Sequence, residues 1–415
     1  MSFSAMVVLL IVLALPCFAE VTILVNPAGF QSIEKAAAGE NTVNFWDNDL
    51  SDDRACTECF AALELAKFLN KCADIGSVQV KPANELPANG DIFILGSRNS
   101  NILLASFNMN EAVKLETDES FNIRTVKDSN RLITIIEGRD RVGVLYGVYE
   151  YLKALGINFI GLGETGTVYP PAKVKLIEDL NITQNPSFLS RGYHAWEDRK
   201  PSEDFFLWMA RNKVNFWTAA DQPVNFLKKL GMKLAWGDHD MQSFYIDPNA
   251  VYPYNHQNFD TDNDKPQDPY KIDDQYKGDV DGDGKLSYFE AHPQWYGLYA
   301  GQRHKLGPLC LGYNFCTSND DAVNEYFKNL IQSIIDGKYK YIDILKFHMI
   351  DLGKWCQCEK CQAQGTYTDR LLVLCDKFMK ALKKAQADGT LKRNILVISS
   401  AYTETLPPPT KPLPE

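Results

Sequence analysis

The chain has 415 residues, 45% of them hydrophobic, and a formal net charge of −10. That length and apolar content can bury one large core or two, which excludes a disordered chain. The acidic balance argues against nucleic acid or an anionic membrane as partner, because both are held by basic surfaces.

Residues 1–19 run from an apolar core at positions 7–15 into Pro16-Cys17-Phe18-Ala19. The core is too short to span a bilayer and is followed by a small residue, so a cleaved signal peptide and a secreted or periplasmic protein are expected. Leu-Pro-Cys is a poor lipobox, which favours export over lipid anchoring. No later segment reads as a membrane span.

Residues 20–184 read as an α/β domain. Positions 21–25 predict a strand, Ala62, Leu65, Phe68, Leu69 and Cys72 share one helical face, and 91–95 predict a buried strand ending at Gly96. Two strands at 121–126 and 132–136 flank a turn, and a helix from about 141 to 155 buries Val142, Leu145, Val148, Tyr149 and Leu152 before Gly156 stops it. Pro170-Pro171 and Asn185-Pro186 mark a linker.

From 185 to 415 strands and helices alternate. Strands are predicted near 188–193, 214–218, 233–236, 342–350 and 395–400, with helices near 203–212, 224–230, 322–335 and 368–387. Repeated βα units predict a parallel sheet or a TIM-type barrel, and a complete barrel needs about 250 residues. Only five strands fit, so the expectation is a (β/α) barrel that is incomplete at the C-terminus, truncated or closed with a partner.

Residues 240–292 form a long insertion after the third strand of this series. Within it, positions 279–290 read Asp-Val-Asp-Gly-Asp-Gly-Lys-Leu-Ser-Tyr-Phe-Glu, which fills an EF-hand calcium loop in order. Asp279, Asp281 and Asp283 stand at ligand positions one, three and five. Lys285 offers its carbonyl at seven, Ser287 stands at nine, and Glu290 closes the shell at twelve. Hard oxygen ligands in this number suit Ca2+, and without a cation the carboxylates repel one another. Residues 267–278 carry no apolar helical stripe, so the loop is expected to be solitary and to act as a structural clip rather than a sensor. Asp260, Asp262 and Asp264 repeat the acidic alternation, but Lys265 replaces the glycine and Lys271 the closing glutamate, so that stretch is read as solvated.

Ten cysteines are present. With Cys17 removed in the leader the rest are odd in number, so at least one forms no intrachain disulfide. Cys356, Cys358 and Cys361 lie too close in sequence to bridge one another readily. They either supply thiolates to a structural Zn2+, with Cys310 or Cys316 as the fourth ligand, or form disulfides with distant cysteines.

Two resemblances follow. Residues 138–156, Gly-Arg-Asp-Arg-Val-Gly-Val-Leu-Tyr-Gly-Val-Tyr-Glu-Tyr-Leu-Lys-Ala-Leu-Gly, resemble the end of the accessory domain that precedes the barrel in β-hexosaminidases and α-glucuronidases. The ordered succession of 292–303, Leu309-Cys310, 355–361 and 400–408 resembles the family called domain of unknown function 4838, which includes endo-β-N-acetylglucosaminidases of glycoside hydrolase family 163. The resemblance implies an α+β hexosaminidase-like accessory domain before a glycosidase-type barrel, acting on glycans that contain N-acetylhexosamine or uronic acid. It places Arg191 on the first strand as a grip on sugar hydroxyls, and Asp351 at the end of the fourth strand as the carboxylate that orients an acetamido group. Related hexosaminidases have a glutamate as proton donor next to that aspartate; here Leu352 follows. Glu404 beyond the fifth strand is the candidate for the second catalytic acid, with Glu197, Asp198 and Asp238 as other acids after earlier strands and His239 as a substrate contact. The alternative reading is a non-catalytic, calcium-binding protein that binds glycans or serves a structural role.

Overall fold

The structure is a computed structural model that describes residues 20–107, 114–129, 131–193, 201–256, 258–259, 264–307 and 310–412. The expected signal peptide, Glu197, Asp198, Asp260 and Asp262 lie outside these residues. Among the described residues no helix is long and apolar enough to cross a membrane. The chain is mixed α/β and divides into two compact units.

The first unit is built on a six-stranded sheet. Its strands are β1 (Val21–Val25), β2 (Val78–Pro82), β3 (Asp91–Gly96), β4 (Phe121–Asp128), β5 (Arg131–Gly138) and, beyond the two-residue strands β6 (Asn158–Phe159) and β7 (Thr167–Val168), β8 (Asn181–Gln184). The order is β2-β1-β3-β5-β4-β8, parallel from β2 to β5 and antiparallel at β4. The helices are α1 (Ile33–Ala37), α2 (Leu50–Cys72), α3 (Ile102–Ser106) and α4 (Arg141–Ala154). All five residues of β1 are buried, because its two faces are both covered. Leu24, Ile92, Ile94, Ile133 and Ile135 pack on Leu103 and Leu104, while Phe93 on the opposite face meets the Tyr151 ring of α4 edge-on at 5.1 Å. The expected apolar faces of α2 and α4 are buried, and Gly156 past the end of α4 has φ +96°, the left-handed C-terminal stop that glycine adopts without strain.

Two helices that follow residue 184 also belong to this unit: α5 (Glu203–Arg211) and α6 (Val224–Lys229, which enters it from Asn225). Arg211 donates to Glu64 of α2 from Nη2 at 2.7 Å and Nε at 3.2 Å, and both side chains are buried. Lys229 donates to Glu40 at 2.8 Å, and Arg141 Nη1 donates to the Lys228 carbonyl at 2.7 Å. These polar ties override the linker prolines, so the boundary expected at 184/185 does not separate the two compact units.

The second unit holds a four-stranded sheet of β9 (Phe216–Thr218, which enters it at Trp217), β10 (Lys233–Trp236), β13 (Ile344–Lys346) and β14 (Leu396–Ile398), in the order β14-β13-β10-β9. β10 pairs parallel with β13, and β13 with β14. The strand expected at 188–193 does not form: only Gly192 bridges Phe216 there, and Phe188, Leu189 and Tyr193 are exposed. Among the described residues the sheet stays open and does not close into a barrel. The remaining α-helices and strands are α7 (Met241–Tyr245), α8 (Tyr288–Ala291), the short pair β11 (Leu298–Tyr299) and β12 (Gln302–Arg303), α9 (Asp320–Ile335), α10 (Glu359–Ala363) and α11 (Tyr367–Ala387), with 3-10 turns at Pro293–Trp295 and Thr403–Thr405.

The described residues of the 240–292 insertion have little regular structure beyond α7 and α8 but are pinned to α9. The hydroxyls of Tyr254, Tyr270 and Tyr288 donate to the fully buried carboxylate of Glu325 on α9 at 3.0, 2.9 and 2.9 Å. Lys328 at 2.6 Å and Asn329 at 3.3 Å complete the set of donors that offset the desolvation of that charge, and through its tyrosines the insertion anchors by polar bonds.

A test of the packing lies on α4. A Cβ on Gly143 would stand 2.2 Å from the Ser120 carbonyl oxygen, a backbone atom with little room to yield. Gly143→Ala is expected to lose about 1–3 kcal/mol by overpacking, more than the roughly 1 kcal/mol alanine gains in helix propensity. The urea midpoint reads the outcome; an unchanged midpoint would mean the helix retreats freely.

Candidate functional site

Ligands of open parallel sheets bind outside the carboxyl ends of the strands. In the second unit the segments leaving β9, β10, β13 and β14 line one cleft of about 740 Å³. Gly237 permits the approach: it has φ +122°, and a Cβ there would sit 2.1 Å from the Lys346 carbonyl oxygen, so only glycine lets β10 turn away this close to β13.

Asp351, Glu404, His239 and Asp238, singled out from sequence as residues that follow strands, all line this cleft. Asp351 is held by its own backbone: its carbonyl accepts from Leu311 N at 2.8 Å. Asn314 Oδ1 accepts from Ile350 N at 3.0 Å and from the buried Gln242 amide at 2.9 Å. Asp351 Oδ1 is buried and has no hydrogen-bond partner among the described residues. The charge of Asp351 raises the facing Tyr402 phenol above its ordinary value.

His239 Nδ1 contacts the Met349 carbonyl. A carbonyl only accepts, so Nδ1 carries a proton, while Nε2 lies 4.0 Å from Asp238 Oδ1. The ring lies 5.1 Å from His348 and 6.4 Å from Tyr402. Glu404 accepts from the Thr403 hydroxyl on the turn after β14. Leu352 occupies the place of the expected proton donor, and its side chain also lines the cleft. Leu352, Thr403 and Asp221 have φ of 51°, 48° and 49°. A non-glycine residue in the left-handed region costs roughly 1–3 kcal/mol, and such strain collects at functional sites. Two of the three adjoin Asp351 and Glu404.

The structure adds two groups that the sequence reading passed over. Asp240 is pushed up by burial, against the pull of Lys338 at 3.7 Å. Lys346 is buried at the cleft floor, and desolvation lowers its pKa. A lysine after Ile344-Leu345 in the strand expected at 342–350 was the available signal for the second.

Arg191 is placed differently. It lies in the first unit, where it donates to Glu119 at 2.6 Å and to the carbonyls of Lys213 and Phe188 at 2.9 and 2.7 Å. Each guanidinium nitrogen thus serves the chain's own fold, while residues of the second unit alone line the cleft.

The acidic loop is compact. One carboxylate oxygen from each of Asp279, Asp281 and Asp283 falls within 4.8 Å of the others. Gly282 and Gly284 have φ +74° and +77°, and their amides donate to the two Asp279 oxygens at 2.7 and 2.8 Å. The Lys285 amide donates to Asp283 at 2.8 Å. Glu290 accepts from Ser287 Oγ at 2.6 Å and Val280 N at 2.9 Å, and these donors outweigh burial in holding its carboxyl below the usual range. Ser287 and Glu290 form a capping box on α8, so the twelfth position has a role in helix capping as well. No helix enters the loop; instead Leu286 O accepts from Tyr252 N at 2.7 Å.

Among the cysteines, Cys316 joins Cys356, Cys358 and Cys361 in one cluster, with sulfurs within 4.8 Å of one another. Cys310 is exposed and lies beside Asp351, outside that group.

No curated protein matches the chain. Among solved structures, a family GH115 4-O-methyl-α-glucuronidase, BtGH115A, with specificity for decorated arabinogalactans, is similar at 12% identity and a TM-score of 0.46, over 84% of this chain and 41% of that one. CpGH84D is similar at 11% identity and a TM-score of 0.41, over 92% of this chain and 46% of its own. The chain therefore spans less than half the length of either. The profile of domain of unknown function 4838 matches residues 162–414, and the chain belongs to that family.

Proposed function

We propose that the protein is an exported glycoside hydrolase whose cleft at the strand ends of the second unit binds a glycan containing N-acetylhexosamine or uronic acid. The observation that carries this reading is Asp351, which lines a cleft shared with Glu404, Asp238 and Asp240 and has one carboxylate oxygen buried without a hydrogen-bond partner among the described residues. Glycosidic hydrolysis needs one carboxyl group to protonate the leaving oxygen and a second to act as base, nucleophile or orienting group. Glu404 fits the proton donor that is absent at Leu352, and Asp351 fits the orienting role.

Trp236 and Tyr402 supply flat apolar walls of the kind on which sugar rings stack, and Lys346 supplies a cation for a hydroxyl or a uronate carboxylate. We read the parallel β10-β13-β14 sheet as part of a TIM-type barrel with an accessory domain before it. The acidic loop is a calcium clip: Asp279, Asp281, Asp283, the Lys285 carbonyl, Ser287 and Glu290 would hold Ca2+ and fix the insertion, which otherwise relies on its tyrosine anchors.

Catalysis is tested on chromogenic N-acetylglucosaminides and uronic-acid-containing oligosaccharides. Asp351→Asn and Glu404→Gln are each expected to lower kcat by roughly 10²–10⁴-fold with the fold intact. Glycan binding without release by the folded wild type would instead establish the non-catalytic reading.

Calcium is tested by thermal unfolding. Saturating Ca2+ at about a hundred times its Kd should stabilise the wild type by about 2.7 kcal/mol, and Glu290→Gln should lose most of that response. Equal curves with Ca2+ and with chelator for the wild type would remove the metal from the loop.

A further inference from the structure

We propose that Cys316, Cys356, Cys358 and Cys361 form a structural Zn2+ site that locks the cleft rim. Cys316 Sγ lies 3.6 Å from Cys356, 3.7 Å from Cys358 and 3.7 Å from Cys361. A disulfide requires about 2.05 Å, so these contacts are not bridges. Tetrahedral zinc with bonds of about 2.3 Å places its four sulfurs about 3.8 Å apart. The observed spacings match the edges of that tetrahedron.

The surroundings suit thiolates. Three of the four sulfur-bearing residues are buried and Cys358 is half-buried. Four thiolates packed together out of water would repel strongly, and a divalent cation at their centre removes that repulsion. Donors surround the cluster: Leu298 N lies 3.3 Å from Cys356 Sγ, Arg303 Nη1 lies 3.9 Å from the same sulfur, and the Ser318 hydroxyl lies 3.1 Å from Cys361 and 3.6 Å from Cys358. Hydrogen bonds to metal-bound sulfur orient the ligands and spread the excess negative charge. Soft sulfur donors in a closed tetrahedron select zinc over calcium, so the two metal sites of this chain would not compete.

The location gives the metal a task. Cys316 ends the segment that runs parallel to 351–354, with bridges Cys310 to Asp351 and Tyr313 to Lys354. Cys356 directly follows Trp355 of the cleft wall. Zinc would therefore fasten the two ends of the frame that holds Asp351, by four coordinate bonds where neither segment forms a regular strand. All four ligands are consumed, leaving no open position for a substrate or water, which makes the site structural.

The test needs no enzymatic turnover, so its failure is distinguishable from failure of the glycosidase reading. The full chain is purified under reducing conditions, treated with a calcium chelator and analysed for metals by mass spectrometry. The expected content is about one zinc per chain. Cys316→Ser and Cys361→Ser should each lose it, while Cys310→Ser and Cys375→Ser retain it. Cobalt-exchanged protein should show the thiolate charge-transfer and visible ligand-field bands of a tetrahedral sulfur site. If the ligand variants fail to fold, stepwise mercurial titration of the wild type should release zinc as the clustered thiols are consumed. Free thiols without stoichiometric metal, disulfides within the four, iron in place of zinc, or zinc retained in folded Cys316→Ser would each overturn the proposal.

Discussion

The parallel register of β10, β13 and β14 is the constraint on which the second unit depends. Pairing Ala235 with Ile344 and Leu345 with Val397 sends all three chains out of the sheet at the same end. Parallel strands cannot be joined by tight hairpins, so each must leave through a longer segment, and those segments meet. The cleft is the consequence. Gly237, pressed against the Lys346 carbonyl, lets the β10 exit bend at once, which places Asp238, His239 and Asp240 on the rim and not above the sheet.

A rim built from loops needs outside support, because loop backbone has no ladder of its own. Here the support is polar and local. Gln242 holds Asn314, Asn314 holds Ile350, and Leu311 holds the carbonyl of Asp351. Such a chain fixes the carboxylate's backbone while leaving one of its oxygens unspent. The strained residues beside Asp351 and Glu404 fit the same pattern, since left-handed Leu352 and Thr403 persist only where neighbouring bonds over-determine the path. The insertion follows this logic too: its tyrosines converge on Glu325, and Glu290 serves both the acidic loop and the cap of α8.

Local pattern carried much of the fold. The strands at 21–25 and 91–96 and the helices over 141–154 and 320–335 were readable because apolar periodicity and glycine stops act over a few residues. The run at 188–193 misled, since its apolar residues resemble a strand but its pairing stops at a single bridge from Gly192 to Phe216 and the Arg191 carbonyl that accepts from Asn215 N and Phe216 N. Helices α5 and α6 were readable as helices but not in their allegiance, which depends on Arg211 reaching Glu64 and Lys229 reaching Glu40.

By itself the sequence determined the family, the acidic loop, the Cys-X-Cys-X-X-Cys cluster and the acids that follow the strands, because each is encoded in short spacing or ordered succession. Only the tertiary structure decided that Cys316 and not Cys310 completes the sulfur cluster, that Arg191 is committed to Glu119, and that Asp240 and Lys346 join the cleft. The two cysteines are equivalent by spacing. What separates them is the path of 310–316 beside 350–356, which puts one thiol next to Asp351 and carries the other into the core, and that path is set by hydrogen bonds between residues about forty positions apart.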